Sequence, residues 1–163
     1  MKGLELEAME AAARVLSAVL LARRDGAGAE IADPRSLASL VDVLRRGRLE
    51  SRIAAARAVE SIASAGTPES KVQIAEAEGM LAALLGLASD GDGGEPADPA
   101  AADAGLSSLA AVASLRRVRP QIVALGAVPA LGKLLARAST PAAAAEKALR
   151  LMGAAAACTE GRA

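Results

Sequence analysis

The stretch Leu125–Leu135, LGAVPALGKLL, places a glycine, a proline and several leucines in helical register. Three readings compete for it: a degenerate phosphate loop, a helix start, and one copy of a repeated unit. The phosphate loop fails on spacing. Such a loop needs four residues between its glycines and Ser or Thr after its lysine, but five residues separate Gly126 from Gly132, Lys133 is followed by Leu134, and no strand precedes it. A helix joint accounts for the whole stretch. Gly126 permits a sharp turn, Pro129 suits an opening helical turn through its fixed φ, and Leu131, Leu134 and Leu135 fall on one face.

The same leucine spacing recurs upstream. Val128, Leu131 and Leu134 match Leu81, Leu84 and Leu87, and these match Leu37, Leu40 and Val43. A second set pairs Leu16 and Val19 with Val59 and Ile62, Leu106 and Leu109, and Leu149 and Met152. Intervals of about 43 to 47 residues are the period of armadillo and HEAT units, each built from two or three helices. Asp33-Pro34, Thr67-Pro68, Asp98-Pro99 and Thr140-Pro141 each precede a helix-compatible run, with an oxygen-bearing cap before a proline suited to the first turn. No run of alternating β-branched residues competes, so the chain is expected to be all-α.

Within each unit a short first helix, a second helix and a longer third helix follow in order. First helices are expected at Glu69–Ala77 and Arg116–Gly126, and second helices at Gly79–Ala88 and Ala127–Ala138. Third helices are expected at Ser51–Ala65, Ala100–Ser114 and Ala142–Ala157. The expected architecture is a right-handed armadillo-type α-solenoid: one domain over residues 1–163, with a partial repeat at 1–24 (a third helix) and repeats at 31–65, 68–114 and 116–163. Residues 89–99, SDGDGGEPADP, are expected to form a flexible acidic loop, a tolerated insertion.

Composition removes whole classes of function. The 163 residues are 53% hydrophobic, enough for one domain with a sizeable core, and the 19 basic and 19 acidic side chains leave no net field to draw nucleic acid or an anionic membrane. With no Phe, Tyr or Trp there is no platform for stacking bases, and the core must be packed from Leu, Val, Ile, Met and Ala. Histidine is absent and Cys158 is the lone cysteine, which excludes Ser-His and Cys-His catalysis, His/Cys zinc sites and intrachain disulfides. No catalytic residue, cofactor or metal is expected. The apolar run Val15–Ala22 is too short to span a membrane, and acidic residues rather than basic ones precede it, so no membrane span or signal peptide is expected.

Other features read as structural. Arg45–Arg48 (RRGR) and Arg116–Arg119 (RRVR) sit where helices end or begin, where cations complement the helix dipole. Cys158 reads as an inert small residue. Glu76 with Glu78, and Asp90 with Asp92, lie at joints without the closed pocket that acid–base chemistry needs.

The closing run Ala142–Ala163, AAAAEKALRLMGAAAACTEGRA, resembles the C-terminal armadillo region of plant U-box E3 ubiquitin ligases, in which an AEKAL helix precedes small residues and then C.EGR. Here those positions are Ala145–Leu149, then Cys158, Glu160, Gly161 and Arg162. Leu49–Ser64, LESRIAAARAVESIAS, is similar to that family's SR..A...LE.LA helix. The resemblance implies an armadillo superhelix that holds a protein target, while a U-box in a longer chain or partner recruits the ubiquitin-conjugating enzyme. No segment here resembles a U-box, so no ligase activity is expected of this chain alone. A stand-alone scaffold or competitor, and a truncated gene product, remain open alternatives.

Third helices line the concave face of such a superhelix, which suits an extended protein partner. Arg14, Arg57, Ala104 and Lys147 are expected near that groove, with Ser61 and Ser108 one turn further along. The cations read first as solvated charges on a helix face, with a groove for an acidic or phosphorylated segment of a protein target as the sharper alternative. The asparagine ladder of importin-α is missing: the equivalent positions are Ala18, Ser61, Ser108 and Leu151, and the chain has no asparagine. The expected location is the cytoplasm, with the nucleus as a second compartment.

Overall fold

The computed structural model describes residues 2–22, 33–89 and 98–158, and among these it contains nine α-helices, one 3₁₀ turn and no strand. The helices are α1 (Lys2–Ala22), α2 (Pro34–Arg46), α3 (Leu49–Ala65), α4 (Pro68–Glu76), α5 (Met80–Ser89), α6 (Pro99–Ala113), α7 (Arg119–Ala124), α8 (Ala127–Ala136) and α9 (Ala142–Ala156). They repeat in the expected order. The third helices form one layer, with α1 against α3, α3 against α6 and α6 against α9. The second helices form another, with α2 against α5 and α5 against α8, and each also packs on the third helix of its own unit.

Local chemistry sets the helix starts. Asp33 Oδ1 accepts the Arg35 and Ser36 amides, and Asp98 Oδ1 accepts those of Ala100 and Ala101, with proline next in each case. The Ser36 hydroxyl and amide hold the Asp33 carboxyl below its ordinary pKa. Thr140 does not cap α9. Its hydroxyl donates to Leu134 O at 2.6 Å, closing the end of α8, and Pro141 takes the cap position instead.

At the two joints between first and second helices the chain turns through 82° and 74°. Gly79 and Gly126 make these turns at φ 79° and 81°, the left-handed region in which a Cβ is strained. The joint read in LGAVPALGKLL is therefore built twice. Ahead of it, Arg116–Gly126 is not one helix: Arg116–Val118 form the 3₁₀ turn, because Pro120 fits only the first turn of α7 and cannot sit inside a continuous helix.

The core contains no aromatic residue, and close packing of small side chains takes its place. Ala55, Ala56, Ala58, Val59, Ile62 and Ala63 of α3 are fully buried, as are Leu84 of α5 and Leu106 of α6. Arginines cap helix ends: Arg52 Nε donates to Leu44 O within one unit, and Arg119 Nε to Ala113 O and Arg137 Nη1 to Ser89 O across units, each at 2.9 Å. Arg119 thus places part of RRVR in the structural role expected of it. The start of α3 has no cap of its own, and Glu10, buried on α1, accepts the Arg48 amide at 2.6 Å. One third helix caps the next.

Candidate functional site

Across the third-helix layer runs a chain of charges. Arg57 on α3 approaches Asp103 on α6 at 3.7 Å, and Lys147 on α9 meets the other Asp103 oxygen at 2.5 Å. Lys147 Nζ also donates to Ser107 Oγ at 2.6 Å. Asp103 and Ser107 are one helical turn apart on α6, so Lys147 reaches both from the neighbouring helix. Each side chain of the Arg57–Asp103–Lys147 trio keeps about a third of its surface in water, and the trio ties together three successive units.

Glu60 lies one turn beyond Arg57. Burial pushes its pKa above the ordinary carboxylate value; Arg57 and Lys147 pull it back, and Asp103 adds to the rise. A carboxyl whose folded pKa is raised binds more protons folded than unfolded, so it favours folding more as pH falls through that window. Relative to the parent, Glu60→Gln should therefore be most stabilised at pH 7, with the difference shrinking as pH falls through the carboxylate range to about pH 4. Parallel urea titrations at the two pH values measure it, and a constant difference would contradict this origin.

Of the side chains expected at the groove, Arg57 and Lys147 meet through Asp103. Arg14 is exposed on α1 and donates from Nη1 to Ser51 Oγ of α3 at 3.1 Å, and Ser61 is half-buried on α3. Ala104 and Ser108 do not face the groove. Both are fully buried, and Ser108 Oγ lies 2.7 Å from the carbonyl oxygens of Ala56 and Ala104, on the side of α6 that packs against α3. Asp103 and Ser107, one residue earlier, occupy the surface instead. They and Glu60 carry no repeat signature. Only the i, i+4 spacing of an acid and a hydroxyl on α6 hinted at a polar face.

Elsewhere, Glu76 and Glu78 line an open cleft of about 590 Å³ between α2 and the α4–α5 joint, together with Asp42 and Arg45. Cys158 is half-buried, with Sγ 2.9 Å from Ala155 O. Among the described residues no group of three or more metal-ligating side chains comes together, and no single helix is long and apolar enough to cross a membrane. Most of the acidic loop, and Glu160, Gly161 and Arg162 of the closing motif, lie outside the described residues.

The family model of the plant U-box protein ARM repeat region matches residues 4–163. U-box domain-containing protein 28 of Arabidopsis thaliana is 32% identical over 126 residues, and U-box domain-containing protein 29 of the same plant is 32% identical over 127. Each alignment takes in 77% of this chain and 29% of the relative, so the chain spans less than a third of the curated proteins it matches. No solved structure matches.

Proposed function

The chain belongs to the armadillo-repeat region of plant U-box proteins, and from that premise we propose that its third-helix layer docks a protein target for ubiquitination. The ubiquitin-conjugating enzyme would be recruited by a U-box elsewhere in a longer chain or complex. The observation that carries the reading is the Arg57–Asp103–Lys147 chain, which sets two cations on the units either side of α6 across a surface suited to an extended segment. An acidic or phosphorylated target segment enters by taking the place of Asp103 between them, exchanging one carboxylate for another. Ser61 and Arg14 extend the surface toward α1.

A fluorescent peptide of alternating glutamate and phosphoserine is a direct probe. The double variant Arg57→Ala/Lys147→Ala should bind it about tenfold or more weakly in low salt, with the circular dichroism of the parent. Equal binding by parent and double variant would sink the acidic-target reading.

A further inference from the structure

Asp103 serves its two cations unequally. One carboxylate oxygen meets Lys147 Nζ at 2.5 Å, whereas the other stays 3.7 Å from Arg57 Nη2, beyond hydrogen-bonding length. Among the described residues the half-buried Arg57 guanidinium donates no hydrogen bond, so it faces an acid that does not reach it. Glu60 acts on Arg57 and Lys147 through charge alone. Two acids thus balance two bases, and the resting cluster carries almost no net charge.

What can replace Asp103 follows from what has to be broken. A carboxylate entering between Arg57 and Lys147 brings one charge and two oxygens, the same as Asp103, and it must also meet the cost of association. Carboxylate for carboxylate gains nothing in kind. A phosphate ester brings a charge of about −1.5 to −2 and three strong acceptor oxygens. Two of those oxygens suit the two cations, and the third needs a donor. Ser107 supplies it from one turn along α6. Its Oγ accepts from Lys147 Nζ at 2.6 Å, which leaves the hydroxyl proton for an anion held by the same lysine. A carboxylate held by both cations has no oxygen left for Ser107.

We propose that Arg57, Lys147 and Ser107 form a phosphate seat on the third-helix layer, with Asp103 as a built-in competitor that keeps carboxylates out. Its ligand is a phosphoserine or phosphothreonine side chain on an extended segment of a protein target. The assignment rests on the reading of this layer as the target-docking surface and narrows it to one modification. Ser107 sets the preference for phosphate, and Asp103 sets how strong an anion must be to enter.

Two fluorescein-labelled peptides test it by anisotropy with the intact chain, one carrying three phosphoserines and one six glutamates, so that charge is matched at about two per phosphate. The parent should prefer the phosphopeptide about tenfold, the worth of one charge-assisted hydrogen bond. Ser107→Ala should cut that preference to within about threefold. Asp103→Asn should tighten phosphopeptide binding about three- to tenfold, because the competing charge is gone. Glu146→Gln, which removes an equal charge from an exposed Arg150 pair on α9, should change it by less than about twofold. Circular dichroism matching the parent qualifies each variant. Equal binding of the two peptides by the parent, no tightening in Asp103→Asn, or equal tightening in Glu146→Gln would each overturn the phosphate seat. If these occur while Arg57→Ala/Lys147→Ala still weakens both peptides, the acidic-target reading stands and only the phosphate assignment fails. If the double variant binds both as the parent does, the docking reading fails with it.

Discussion

Leu106→Ala is expected to lower the unfolding free energy by about 3 to 4 kcal/mol, the loss typical of a buried leucine whose cavity cannot collapse. Leu106 is fully buried on α6, the helix that packs against α3, α5 and α9 and so joins the middle unit to both neighbours. No aromatic ring is available to lean into the gap, because the chain has none. In a stack whose stability is a sum of unit and nearest-neighbour terms, a defect at the central helix weakens both interfaces. The counterpart in the last unit, Leu149, is 59% exposed, and Leu149→Ala should change stability by no more than about 0.5 kcal/mol. Urea unfolding of the two variants decides the point. Similar losses at both sites would mean that α6 does not occupy the centre of the stack.

That contrast shows how far repetition makes the fold legible. The caps at Asp33 and Asp98 and the glycine turn at Gly126 depend on residues within one turn of each other, so they can be read locally. Leu16, Val59, Leu106 and Leu149 share a register, which identifies the stack without giving the exposure of its two edges. The groove was harder to read because one residue along a helix rotates a side chain by about 100°. A common register assigned Ala104 and Ser108 to the surface, where α6 presents Asp103 and Ser107. Contacts such as that of Glu10 with the Arg48 amide join residues 38 apart and exist only after two helices have docked. Thr140 illustrates a further limit: a threonine before proline fits a helix start as well as it fits the end of the preceding helix, and packing chose the latter.

Gly105→Val should destabilise the protein by about 3 kcal/mol, at the upper end of the usual range for overpacking. Helix propensity alone predicts the opposite sign, since valine is a better helix former than glycine by a few tenths of a kcal/mol. Packing decides it. The added Cβ would lie 2.8 Å from Leu84 O and 3.0 Å from the Ala88 amide nitrogen, and backbone atoms of a packed helix cannot rotate aside as a flexible side chain would. Relief requires α5 to move away from α6, which also disturbs its contacts with α2 and α8. The equivalent residue of α1 is already a valine. Val15→Gly should therefore cost only the propensity difference, about 0.5 kcal/mol, because the face is open. Two exchanges of the same residue pair at equivalent positions separate backbone preference from helix docking. Comparable losses in thermal unfolding would show that the position is governed by the helix itself, whereas a large loss at Gly105 alone shows that a neighbouring second helix sets what it accepts.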